Sequence, residues 1–150
     1  MTTETVQIVM LEPMRVASAW AFGPNPEEMA WQKLVAWAEA HGLLSTGHRI
    51  FGFNNPNPSA GSPNYGYEYW LTVDAGVVPD GDIRVIDVPG GRYAVLEADV
   101  TGDYGAKIPA AWQRLDSWVA TSTHRHGAHQ WLEEHTLDGV PFAFYYPITE

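Results

Sequence analysis

One stretch of the chain combines an acid with a run of aromatic side chains. Residues 65–73 read YGYEYWLTV, which is the strongest strand pattern in the sequence. Alternation along a strand places Glu68 and Trp70 on one face and the neighbouring tyrosines on the other. A carboxylate beside an indole attracts a desolvated cation, and the ring face adds to that attraction. The same carboxylate can also act as a general acid or base.

Two other interpretations of Glu68 remain open. An isolated glutamate on a strand often faces solvent, or it pairs with an arginine on a neighbouring strand. The flanking aromatic residues favour a site over either of these interpretations.

Further aromatic residues are candidates for the walls of a ligand site. Trp70 and Tyr145 are favoured because each follows a matched position, Glu68 and Ala143, by two residues and so shares its face. Tryptophans with helical spacing belong more often to a core, which is the competing interpretation for Trp112. The full set of predicted ligand residues is Trp20, Phe22, Glu68, Trp70, Tyr93, Trp112, Ala143, Tyr145 and Tyr146.

Other chemistry receives little support from the sequence. The chain has no cysteine, which excludes thiolate metal sites, disulfides and a cysteine nucleophile. The histidines at 124, 126 and 129, with acids at 133 and 134, match no zinc spacing, and a solvated loop is the favoured interpretation. We therefore predict no metal and no cofactor.

The elements that must position these residues occur twice. The segment WQKLVAW at 31–37 reappears as WQRLDSW at 112–118, and in both copies a strand pattern precedes it. Asn25, Pro26 and Glu28 predict the start of the first helix, and Gly42 predicts its end. The second helix is predicted from about Pro109 to Thr121. Short turns between strands predict antiparallel pairing, and one long helix in each copy gives the α+β class.

Length and charge restrict the class of protein. With 150 residues the chain is predicted to form one domain, 1–150, with halves of about 1–76 and 77–150. Eight Lys and Arg against 18 Asp and Glu give a net charge of -10, which disfavours nucleic-acid and membrane binding. No apolar segment is long enough to span a membrane and no leader sequence is apparent, so a cytoplasmic location is expected.

The ordered motifs resemble the GyrI-like family, the effector-binding domain also found in AraC-type and MerR-type multidrug-responsive regulators. The similarity rests on EPMRVA at 12–17, YEYW at 67–70, GGRYAV at 90–95 and FAFYYPI at 142–148. It covers nearly the whole chain, and no helix-turn-helix module accompanies it, so the chain resembles a stand-alone member.

The resemblance implies a tandem βαββ fold with an antiparallel sheet, two long helices and a central groove. Family members bind planar, often cationic, aromatic compounds there, using aromatic walls and an acid. The closing strand of the regulators usually presents that acid as a glutamate. The matching position here is Ala143, whereas the first copy carries Glu68.

Three functions follow as expectations. The leading one is binding of hydrophobic, aromatic and cationic small molecules. The second is hydrolysis of strained, cyclopropanoid-type electrophiles, with Glu68, Trp70 and Tyr145 as the catalytic residues, because one subgroup of the family has that activity. The third is a protein-interaction module that protects gyrase through its acidic surface. Whether the protein is an enzyme, and its oligomeric state, remain open at this point.

Overall fold

A computed structural model describes residues 5–44, 47–79 and 81–149. These residues form nine strands and two helices, and their contacts divide the chain into two compact units. The elements are β1 (Val6–Leu11), β2 (Met14–Gly23), α1 (Pro26–Ala40), β3 (Ile50–Asn54), β4 (Tyr65–Thr72), β5 (Arg84–Val88), β6 (Gly91–Glu97), α2 (Tyr104–Ala120), β7 (Arg125–His126), β8 (Leu132–His135) and β9 (Pro141–Thr149).

The first unit, Met14–Val88, is an antiparallel sheet with the strand order β3-β4-β2-β5. Helix α1 packs on one face of this sheet. Small residues of β2 allow close approach, since Ala17, Ala19 and Ala21 are buried in the same core as Leu34 of the helix. Strand alternation directs the intervening residues to the opposite face, away from α1.

The second unit combines Met1–Pro13 with Pro89–Glu150. Its strands follow the order β1-β6-β9-β8, and β7 pairs with the end of β9. Helix α2 packs on one face through Leu115 and Val119 against a core that includes Leu96 and Phe144.

The two units repeat one module, as predicted. In the first unit β2, α1, β3 and β4 follow one another, and β6, α2, β8 and β9 occur in the same order in the second, with the short β7 between α2 and β8. The α+β class and the duplicated βαββ module are therefore confirmed, as are two long helices.

The strands that precede each module pair differently from the prediction. Short turns predicted that β1 would pair with β2 and β5 with β6, whereas β1 pairs with β6 and β5 pairs with β2. A two-residue hairpin loop requires positive φ, and no residue other than glycine adopts positive φ among the described residues, so Glu12 and Pro13 do not form one. The chain passes from one compact unit to the other near Pro13 and Pro89 rather than at residue 76.

The first helix matches its prediction more closely than the second. Helix α1 starts with Pro26 at its first turn, and Gly42 follows its end with a φ of 67°. Helix α2 starts at Tyr104 rather than at Pro109, because Asp103 caps it by accepting a hydrogen bond from the Ala106 amide at 3.2 Å. The predicted start at Pro109 is therefore wrong.

Candidate functional site

Glu68 lies in the middle of the first unit's sheet, on the face opposite α1. Its register partners are Trp20 on β2 and Phe53 on β3. Only 4% of the residue is exposed, which contradicts the solvent-facing interpretation. The carboxylate is therefore largely desolvated and depends on hydrogen-bond partners within the protein.

Four side chains donate hydrogen bonds to the Glu68 carboxylate. Oε2 accepts from Ser18 Oγ at 2.6 Å, from Trp70 Nε1 at 2.7 Å and from an Arg84 guanidinium nitrogen at 3.3 Å. Oε1 accepts from Asn55 Nδ2 at 3.1 Å. The indole, the amide nitrogen and the guanidinium have no acceptor function at these atoms, so the arrangement fits an ionised carboxylate.

Asn55 reaches the acid because its loop closes tightly on β4. The Asn55 amide donates to the Gly66 carbonyl at 2.8 Å, and the Gly66 amide donates to the Pro56 carbonyl at 3.0 Å. A Cβ at position 66 would overlap the Asn55 carbonyl, so only glycine permits this approach. The Asn55 carbonyl also accepts from Trp20 Nε1 at 2.7 Å.

Aromatic rings surround the acid. Trp70 packs edge-on against Phe53 with centroids 4.7 Å apart, and Trp20 stacks on Phe22 at 6.3 Å. Trp20 and Phe22 remain 44% and 47% exposed, whereas Trp70 is buried. We name this surface the acid face. Its residues are Ser18, Trp20, Phe22, Phe53, Glu68 and Trp70.

The corresponding face of the second unit carries three of the predicted ligand residues. Tyr93, Ala143 and Tyr145 lie opposite α2, and the rings of Tyr93 and Tyr145 are 5.6 Å apart. Tyr93 donates to the Gln130 carbonyl at 2.6 Å, and burial raises its pKa to about 12.

Position 143 is an alanine and carries no acid, but the neighbouring strand β8 supplies one beside it. Glu134 of β8 is the register partner of Ala143, is buried, and accepts a hydrogen bond from the Tyr145 hydroxyl at 2.6 Å. Sequence analysis missed its place beside Tyr145 because that place depends on how β8 pairs with β9. The same holds for Ser18, Asn55 and Arg84 around Glu68.

Trp112 and Tyr146 do not join either of these faces. Both pack on the helix side of the second unit, where Trp112 donates to Glu133 at 3.0 Å and Tyr146 donates to Asp116 at 3.0 Å. The predicted ligand residues therefore divide into the acid face, the Tyr93 and Tyr145 face, and this core.

A surface cavity of about 710 Å³ lies elsewhere in the second unit. Its lining includes Glu97, Asp99, Lys107, Arg114 and Phe142, and none of the predicted site residues. Its lining carries both signs of charge.

The loop histidines contact aromatic rings. His124 stacks near Trp118, and His129 packs edge-on against Tyr93 at 4.8 Å. Within residues 5–44, 47–79 and 81–149, no group of three or more acids and histidines is placed to hold a metal ion. In the same part of the chain, no helix combines the length and apolarity needed to cross a membrane.

The fold is a duplicated α+β module, and its first unit carries a buried acid beside aromatic rings. The family model described as "GyrI-like small molecule binding domain" matches residues 4–146, and the chain belongs to this family. A search of curated protein sequences gives no significant match.

Solved structures share the fold at low sequence identity. The EcmrR C-terminal domain is 13% identical with a TM-score of 0.72, and the match covers 99% of each chain. In the EcmrR complex with DNA, the match covers 98% of this chain but only 58% of the EcmrR chain. A structure described as a hydrolase from Listeria innocua is 10% identical with a TM-score of 0.69, covering 99% of this chain and 94% of that one.

One similar structure contains a ligand. SAV2435 bound to tetraphenylphosphonium is 14% identical with a TM-score of 0.60, and the match covers 97% of this chain and 94% of SAV2435. At these identities the likeness establishes the fold.

Proposed function

We propose that the protein binds hydrophobic, aromatic and cationic small molecules at the acid face, with Glu68 as the counter-charge. The observation that carries this proposal is a carboxylate that is 4% exposed and lies beside aromatic rings, two of which, Trp20 and Phe22, are about half exposed. A ligand ring can stack on these two residues while its charge approaches Glu68. The tetraphenylphosphonium bound to the similar SAV2435 is a ligand of this chemistry.

Electrostatics favour a cation over a neutral ligand at this position. A buried carboxylate has lost most of its hydration, so an incoming positive charge interacts with it more strongly than it would in water. Each ring face adds roughly 0.5 to 2 kcal/mol of cation–π attraction, depending on desolvation. The net charge of -10 also attracts cations over a longer range.

The contacts of Glu68 support binding more than catalysis. Both carboxylate oxygens already accept hydrogen bonds, and Oε2 accepts three. A general base needs a lone pair that is available for a proton of the reacting group, and Oε2 is crowded by its three donors whereas Oε1 has one. Binding of a diffuse organic cation requires only the field of the carboxylate, which the neutral donors Ser18, Asn55 and Trp70 leave in place.

The test is titration with tetraphenylphosphonium, followed by tryptophan fluorescence and calorimetry. Replacing Glu68 with glutamine removes the charge and nearly preserves the shape. We expect Glu68→Gln to weaken binding of tetraphenylphosphonium about tenfold, while binding of neutral triphenylphosphine oxide stays within about twofold.

Glu39→Gln is the matched control. Glu39 is an exposed acid on α1 in the same unit, so this variant makes the same change in net charge away from the acid face. We expect it to bind tetraphenylphosphonium like the unmodified protein. Equal affinity in the Glu68→Gln and Glu39→Gln variants, or no binding by the unmodified protein across a panel of aromatic cations, would show that the proposal is wrong.

A further inference from the structure

The positively charged Arg84 side chain lies beside the Glu68 carboxylate. A guanidinium nitrogen lies 3.3 Å from Glu68 Oε2, and the Arg84 side chain is 63% exposed whereas that of Glu68 is 5% exposed. The pair therefore joins a buried acid to a cation that is mostly in solvent. Such a cation can leave the carboxylate and be hydrated without breaking a packed core.

The position of Arg84 in the sheet explains why its ion pair with Glu68 is weak. Strand β5 is at the edge of the first unit's sheet, and Arg84 is the register partner of Ser18 on β2. The side chain must extend across β2 to reach Glu68 on β4. The described contact joins one nitrogen to one oxygen, whereas a strong arginine–carboxylate pair is bidentate and shorter.

The three remaining donors have a different character. Ser18 is 1% exposed and Trp70 is buried, and both lie closer to Oε2 than Arg84 does. Asn55 is fixed by its loop and bonds the other carboxylate oxygen. Of the four, Arg84 alone is charged.

We propose that Arg84 is a specificity-determining residue that acts as a built-in competing cation. It neutralises Glu68 in the free protein and swings into solvent when a ligand's positive charge occupies the acid face. This inference rests on the proposed function and concerns the same site.

A ligand must displace Arg84 from Glu68, and this requirement limits which cations can bind. A small hydrated ammonium ion gains little over Arg84, because it offers charge alone and must give up its own water. An aromatic cation also gains ring contacts with Trp20 and Phe22, which Arg84 does not replace. Arg84 thereby selects for cations that are both hydrophobic and aromatic.

The effect of removing Arg84 has a definite sign. Displacing a cation that is largely solvated costs little, because exposed ion pairs contribute weakly to stability. We therefore expect Arg84→Met to bind tetraphenylphosphonium about twofold to fivefold more tightly than the unmodified protein. Methionine retains an unbranched apolar stem and removes the donors. Arg84→Lys, which keeps the charge, should bind within about twofold of the unmodified protein.

Two further variants isolate the mechanism. In the double variant Glu68→Gln with Arg84→Met, the gain should disappear, because there is no carboxylate left for Arg84 to neutralise. Arg125→Met makes the same change in net charge at an exposed position of β7 in the second unit, and should leave the affinity unchanged. Thermal unfolding and circular dichroism measurements on each variant serve as controls for correct folding.

The possible results distinguish failure of the inference about Arg84 from failure of the proposed ligand-binding function. If tetraphenylphosphonium binding depends on Glu68 but Arg84→Met binds equally or more weakly, the competing-cation inference is wrong and the proposed function stands. An equal gain in Arg125→Met would also overturn the inference, since net charge would then explain it. If the unmodified protein does not bind tetraphenylphosphonium or any other aromatic cation of the panel, the proposed function fails, and the inference fails with it.

Discussion

Glu68 is stable within a sheet because its charge is distributed over several donors. An unpaired buried carboxylate costs several kcal/mol, whereas one that accepts several hydrogen bonds is tolerated. The indole of Trp70 contributes a bond of 2.7 Å and also packs against Phe53. This residue therefore links the polar and the aromatic parts of the acid face.

We predict that Trp70→Phe lowers the free energy of unfolding by about 1 to 3 kcal/mol more than Trp37→Phe does. Both replacements shrink a buried indole to a phenyl ring. The Trp70 variant also removes a donor from a buried carboxylate, whereas the indole nitrogen of Trp37 is buried with no hydrogen-bond partner among the described residues. Urea denaturation of the two variants measures the difference. Equal losses would mean that the bond to Glu68 contributes nothing to stability.

At this scale the sequence predicts the acid and one of its neighbours. Glu68 and Trp70 are two residues apart on one strand, so alternation alone places them together. Ser18, Asn55 and Arg84 are separated from Glu68 by 50, 13 and 16 residues. Their approach depends on strand register and on the Gly66 contact, neither of which has a local sequence pattern.

Among the elements, the helices illustrate what local patterns specify. Apolar spacing locates both helices, but the start of α2 depends on a cap. Asp103 lies ahead of the predicted helix in the sequence, and the structure shows that this residue caps it. Pro109 then lies within the helix because the cap sets the start five residues earlier, at Tyr104.

Helix capping provides a prediction with a control in the other unit. Asp103→Ala should lower the free energy of unfolding by about 1 kcal/mol, because it removes the side-chain acceptor of the Ala106 amide. Asn25 occupies the equivalent position of α1 but makes no side-chain capping bond, so Asn25→Ala should cost only a few tenths of a kcal/mol. Chemical denaturation tests both variants. A larger loss in Asn25→Ala than in Asp103→Ala would contradict the assignment of the caps.

Strand pairing is the element-level feature that the sequence did not predict. Repeated motifs revealed two copies, but the partner of β1 is β6, and the paired residues run from Val6 with Leu96 to Leu11 with Gly91, far apart in the chain. Antiparallel pairing with a neighbour or with the equivalent strand of the other copy gives the same alternation of apolar residues. The connection at Glu12 and Pro13 has no residue with positive φ, so it does not favour a hairpin between β1 and β2.

Over the whole molecule, duplication provides the two units with similar sets of strands but different polar chemistry. The first unit carries Glu68 on the closing strand of its module, and the second carries Ala143 at the matching place with Glu134 as its register partner. An irregularity in β8 between Glu134 and His135 shifts the register there. The acid of the second unit is thus supplied by another strand, which the repeat pattern in the sequence could not indicate.

His135, next to that acid, connects the stability of the whole molecule to pH. The residue is 7% exposed, and burial lowers its pKa to about 4, against the opposing effects of a hydrogen bond with the Glu133 carbonyl and of the Glu134 charge. The folded protein therefore keeps the ring neutral in a range where the unfolded chain, with an ordinary pKa of about 6.5, takes up a proton. Above pH 6.5 this residue adds little to the pH dependence of stability, and its destabilising effect grows as the pH falls from there toward 4.

By pH 5.5, still above the isoelectric point of 4.8, the free energy of unfolding should have decreased by about 1 kcal/mol from His135 alone. Urea denaturation between pH 7.5 and 5.5 should show a smaller decrease in His135→Gln than in the unmodified protein. His126→Gln, at an exposed histidine of β7, should retain the decrease of the unmodified protein. If the His135→Gln variant loses stability with falling pH as steeply as the unmodified protein, a neutral buried imidazole is not the source of the effect.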